Sequence, residues 1–138
     1  MKNIITILLA SISIITFAQD TSKYSFETEI TAFRNFEGQV LVQIFNSNQE
    51  VVKTLIATFK DEKCNFQVNN LSKGDYAIRF FHDENSDNKL SMKWNVIPEE
   101  GFGYSNNASS YFGEPDFKDW LFTLDENKSL HLKVNYLF

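Results

Sequence analysis

The chain has 138 residues, with 13 Lys+Arg against 18 Asp+Glu, a net charge of −5 and 15% aromatic residues. That acidic balance argues against nucleic acid or an anionic membrane surface as a partner, since both carry the same sign. A single cysteine excludes an internal disulfide, and two histidines exclude a three-histidine zinc site.

In chain order, Lys2 is followed by an apolar run over residues 4–17 and by the small-x-small exit Thr16-Phe17-Ala18. This is the charge, length and cleavage pattern of a secretory signal peptide over residues 1–18. The run is too short to span a bilayer comfortably. No cysteine follows it, which excludes a lipoprotein anchor. The expectation is export to the periplasm or beyond the cell, with no transmembrane segment after cleavage, and one domain over residues 19–138.

Strand signals fill that domain. Tyr24, Phe26, Thr28, Ile30 and Ala32 alternate with polar residues, and Gly38 opens a run in which Val40, Val42 and Ile44 share a face. Residues 55–59 form a less clean third run, and a turn at Asp61-Glu62-Lys63 leads into Cys64, Phe66 and Val68. Tyr76, Ile78 and Phe80 share the next face, with His82 in phase behind them. Residues 117–120 suit one helical turn entering a strand with Phe122 and Leu124. Leu130, Leu132, Val134, Tyr136 and Phe138 define the last run. Period-two patterning with polar turns predicts an all-β protein: a single antiparallel β-sandwich of about seven strands, immunoglobulin-like or transthyretin-like, behind a signal peptide. The 14 Phe residues are expected mostly on core-facing positions. Cys64, in phase with Phe66 and Val68, is expected as a buried, inert thiol.

The segment 82–107, HDENSDNKLSMKWNVIPEEGFGYSNN, carries the chemistry. Asp83, Asn85 and Asp87 have the alternate spacing of oxygens that wrap calcium. The Lys89 carbonyl, the Ser91 hydroxyl and a folded-back Glu100 could complete the set. The twelfth position is Trp94 and the preceding segment is a strand, so this is no EF-hand. The competing reading is an Asx-rich connection whose side chains satisfy their own backbone. Phe102, Tyr104, Tyr111 and Phe112 depart from strand parity; they either cover one end of the sandwich or form a binding surface. With His82, Asn106 and Asn107, Tyr104 and Tyr111 make up a candidate ligand-binding loop.

The segments NLSKGDYAI (70–78), FHDEN (81–85), IPEEGFGYSNN (97–107) and PDF (115–117) resemble domain-of-unknown-function family 2141, small secreted bacterial proteins. The resemblance spans about the whole mature domain and implies an exported β-sandwich, without an established activity. The family usually has Gly at Asn88, Asp at Ser91 and Lys at Glu99. Asn at position 88 still tolerates left-handed backbone angles; Ser91 removes a charged oxygen.

Three functions fit these residues. The first is an exported envelope or binding module for a small ligand, glycan or protein, calcium-stabilised at the loop 83–91 and without catalytic residues. The alternative is a hydrolase acting on carbohydrate or peptide, with Asp83 and Glu100 as its carboxylates. The third is a structural subunit that pairs through a strand edge.

Overall fold

The computed structural model describes residues 21–138, so the expected signal peptide lies outside the described residues. Two larger sheets enclose one core. The first is ordered β11 (Lys128–Lys133), β1 (Lys23–Thr31), β5 (Lys63–Ser72), β4 (Phe59–Lys60). The second is ordered β10 (Leu121–Leu124), β6 (Gly74–Asp83), β2 (Gln39–Asn46), β3 (Val51–Ala57), with β9 (Phe102–Tyr104) also on β6. A small hairpin, β7 (Met92–Lys93) with β8 (Ile97–Pro98), is the third sheet.

The all-β expectation holds; where about seven strands are expected, the described residues form 11 strands in three sheets. The additional strands β4, β7, β8 and β9 are two or three residues long, too short for alternation to register. The last run also ends as a strand at Lys133, leaving Leu137 and Phe138 exposed. β1 pairs with β11 in parallel. The chain leaves β10 in one sheet and crosses residues 125–127 to the free edge of β1 in the other.

Alternation explains the core. Phe26, Thr28 and Ile30 of β1 are buried between exposed or half-buried neighbours. Val40, Val42 and Ile44 meet Ile78, Phe80 and His82 across the β2–β6 ladder. Phe26 from the first sheet meets Phe122 from the second edge-on, with ring centroids 5.4 Å apart. Burying one such side chain stabilises the fold by about 1.5–3 kcal/mol. Cys64 is fully buried there.

The edge strand β3 exposes Val51, Val52 and Ile56. A register shift between Ile44 and Phe45 and the exposed Lys53 blunt that edge.

Two short strands share the far edge of β6. β10 pairs with residues 74–77 and β9 with residues 79–81. Phe102 and Tyr104 therefore do follow strand parity. The residue between them, Gly103, faces the core without a side chain, so the pattern looks broken. A Cβ there would collide with the Phe80 ring and crowd the Lys133 carbonyl.

Phe45, Ala77, Tyr104 and Trp120 form a second apolar cluster with Phe117 and Leu121, centred on the helical turn α1 (Phe117–Trp120). Ser105 ties this cluster to β6: its hydroxyl accepts the Ile78 N–H at 2.9 Å and donates to the Trp120 carbonyl.

Candidate functional site

The strand register builds a groove on the outward face of the second sheet. Gln43 of β2 pairs with Arg79 of β6, and Arg79 with Tyr104 of β9. One step along, Leu41 pairs with Phe81 and Phe81 with Phe102. The floor is thus two rows across three strands, one polar and one apolar.

The walls come from later segments. Leu90, Met92, Val96, Ile97 and Pro98 stand on one side, Tyr111, Phe112 and Glu114 on another, and Leu137 and Phe138 close a third. The open groove between them has a volume of about 670 Å³, within the range of about 300–1,000 Å³ usual for small-molecule sites. Tyr111 and Phe112 are almost wholly exposed at the rim. Lys93 reaches over the Phe138 ring at 5.1 Å, and Arg34 donates to the Phe138 carbonyl at 3.1 Å. These contacts hold that wall in place.

Arg79 supplies the charge at the groove's polar end. Its Nη2 donates to Gln43 Oε1 at 2.7 Å, and its Nη1 to Glu114 Oε1 at 3.2 Å. The guanidinium carbon lies 5.2 Å from the Phe45 ring centroid, a cation–π contact. Tyr104 is 8% exposed. Burial pushes its hydroxyl up to about 12; Glu114 adds to the rise and Arg79 opposes it. The arrangement is an apolar trough with hydrogen-bond donors gathered at one end, which suits an amphipathic molecule.

A family described as "Uncharacterized protein conserved in bacteria" (DUF2141) matches residues 28–131. The chain belongs to DUF2141. The match includes the whole groove floor and most of its walls. No curated protein and no solved structure matches this chain.

In this DUF2141 protein Leu90 of the acidic loop lines the groove, while none of the loop's Asp, Asn or Glu side chains does. Asp83 is fully buried. Its Oδ1 accepts the Asp87 N–H at 3.1 Å; its Oδ2 accepts the Asn88 N–H at 2.9 Å and the Gln39 carboxamide at 2.8 Å. Asn85 Oδ1 accepts the Asp87 N–H, and Asp87 Oδ1 accepts the Lys89 N–H. Glu100, 5% exposed, folds back as expected. Its Oε1 accepts the Glu84 N–H at 3.0 Å and its Oε2 the Ser91 N–H at 2.8 Å. The six candidate calcium ligands, Asp83, Asn85, Asp87, Lys89, Ser91 and Glu100, therefore belong to one neighbourhood. Four of their side chains hold backbone N–H groups there. Among the described residues no group of three His, Cys, Asp or Glu side chains is placed to hold a metal. Asn88 adopts φ 63°, the left-handed conformation that Asn tolerates. Gly38, at φ +69°, lets the neighbouring chain pass against the Asp83 carbonyl, where a Cβ would collide.

The remaining candidates divide. Tyr104 and Tyr111 line the groove. His82 lies on the opposite, core-facing side of β6, with Phe33 and Phe59 edge-on at 5.1 Å each. Asn106 donates to the Asp119 and Leu121 carbonyls; Asn107 exchanges hydrogen bonds with the His131 carbonyl and the Lys133 N–H. Both stitch loop to strand.

Reading by pattern missed Leu41, Gln43, Arg79 and Phe81. A signal was present: Leu41 and Phe81 are apolar where alternation calls for polar residues, which makes β2 and β6 apolar on both faces near one end. Most of the described Phe residues do pack in the two apolar clusters, as expected, but not all of them. Phe81, Phe102, Phe112 and Phe138 line the groove.

Proposed function

We propose that this DUF2141 protein is an exported β-sandwich module that binds a small amphipathic molecule in the groove over β2, β6 and β9. The observation that carries the reading is the apolar row Leu41–Phe81–Phe102 on an outward sheet face, walled by three separate chain segments. A sheet face turned to water is ordinarily polar; a walled apolar row is the usual makeup of a ligand site. Export rests on the leader-like residues 2–18. In this reading the loop 83–91 is a structural clamp that presents the β7–β8 wall, with no need of calcium to hold it. The hydrolase alternative would need Asp83 or Glu100 freed from the backbone N–H groups they accept.

The test uses a neutral fluorescent probe, N-phenyl-1-naphthylamine, titrated against the purified protein. Saturable binding at one site is expected. Phe81→Glu should abolish it while the circular dichroism and melting curve stay near wild type, because Phe81 is only half-buried. Absence of saturable binding by the wild type would sink the proposal.

A further inference from the structure

We infer that the groove selects a carboxylate head group, held by the row Gln43–Arg79–Tyr104, and that Glu114 occupies this head-group position in the free protein. This rests on the groove's being a ligand site and names the ligand's chemistry: a single-chain amphipath ending in a carboxylate, with its tail along Leu41, Phe81 and Phe102.

Three observations carry it. The first is register: Gln43, Arg79 and Tyr104 are successive cross-strand partners on one face, so their polar ends are presented side by side. The second is the Tyr104 hydroxyl. The Tyr104 ring is mostly covered, but its residue lines the groove and its hydroxyl is not among the walled-in polar atoms. Unlike the walled-in Thr28 Oγ1 and Trp120 Nε1, this hydroxyl is open toward the recess and can donate to what enters it.

The third is the donor balance. Arg79 has only N–H donors, Tyr104 offers O–H, and Gln43 has given its oxygen to Arg79, which leaves its NH2 as a donor. A row rich in donors, with only the Tyr104 oxygen able to accept as well, is complementary to an acceptor-only head, and an ionised carboxylate is the common one. The chain already places one there: Glu114 Oε1 lies 3.2 Å from Arg79 Nη1. That contact is long and nearly half-exposed at both ends, so it is weakly held. Glu114 follows Gly113, which has φ +70° and nothing within 4 Å of its Cβ position. The segment can withdraw without breaking packing there. An entering carboxylate would take the Arg79 N–H groups and the Tyr104 hydroxyl together, and Glu114 would return to water.

The experiment compares dodecanoate, dodecanol and dodecylamine by calorimetry below their aggregation concentrations, on wild type, Tyr104→Phe and Glu114→Gln. Dodecanoate should bind about tenfold or more tighter than dodecanol, the worth of a hydrogen-bonded charge. Glu114→Gln should tighten dodecanoate severalfold and leave dodecanol unchanged. Tyr104→Phe, which keeps the ring in its cluster, should weaken dodecanoate alone. Equal binding of dodecanoate and dodecanol, or preferred binding of the amine, would overturn the head-group assignment and leave the groove a ligand site. Failure of all three, together with failure of the neutral probe, would remove the site itself.

Discussion

Gln39 and Asp83 are cross-strand partners at the end of the β2–β6 ladder, and the Gln39 carboxamide donates to Asp83 Oδ2 at 2.8 Å. That bond fixes a fully buried carboxylate, whose remaining lone pairs then gather the Asp87 and Asn88 N–H groups. Asp83→Ala would take the acceptor away from these donors and from the Gln39 carboxamide, and empty the space that the buried carboxylate fills. The expected loss is about 2–4 kcal/mol, read as a lower midpoint in urea unfolding. Gln39→Ala should lose less, since the backbone donors keep their acceptor.

The same saturation bears on metal. Melting temperatures in EDTA and in millimolar calcium should agree, because Asp83, Asn85, Asp87 and Glu100 already accept N–H groups. Calcium at about 100 times its dissociation constant would add about 2.7 kcal/mol if it bound the folded state alone. A calcium-dependent rise abolished by Asp87→Ala would return these oxygens to the role of ligands.

Cys64 sets an alkaline limit. Burial pushes its thiol up from 9.0 to about 12. The unfolded chain therefore loses this proton well before the folded one does. The stability contributed is whole below pH 9 and is lost as pH rises toward 12. Denaturant midpoints should hold through neutral pH and fall above it, with a shallower fall in Cys64→Ala. Tyr104, also raised, contributes to the slope that remains. Cys64→Ala should cost about 1 kcal/mol near neutrality, and Cys64→Asp far more, since it buries an unpaired charge. Rapid labelling of the native thiol would contradict this burial.

His82 has one tautomer available. Its Nε2 lies 2.8 Å from the Glu37 carbonyl, which can only accept, so Nε2 carries the proton. Nδ1 then accepts from the Tyr136 hydroxyl at 2.8 Å. Long-range nitrogen–proton NMR should report the Nε2–H form in the neutral protein. Tyr136→Phe should cost about 1–3 kcal/mol by leaving Nδ1 buried without a donor.

Ser105→Ala is expected to loosen the groove from behind. The Ser105 hydroxyl joins the Ile78 N–H to the Trp120 carbonyl, and Trp120 packs on Tyr104 with ring centroids 5.0 Å apart. A loss of about 1–3 kcal/mol should come with faster amide exchange at residues 104 and 120. Unchanged exchange at both would mean that the cluster holds without it.

Much of the chain is legible because alternation is a local property. The buried side of β1, β2 and β6, the burial of Cys64, the core-facing entry of His82 and the single helical turn at residues 117–120 all follow from period two and residue type. The Asx-rich reading of loop 83–91 was likewise available, since Asn and Asp bond to backbone two residues on. Gly103 misled because a missing side chain carries no pattern, although its close contact with Phe80 is what lets β9 pair at all.

Period two says which face a residue takes; it does not say which strand lies beside it. That Gln43, Arg79 and Tyr104 form one row depends on the alignment of β2, β6 and β9, which come from distant parts of the chain. The same holds for walls contributed by residues 90–98, 111–114 and 137–138. Sequence alone determined the longer strands, their inward faces and the thiol's burial, because backbone geometry and hydrophobicity act over a few residues. Only the tertiary structure decided the groove and its polar end, because register between distant strands is set by packing of the whole core.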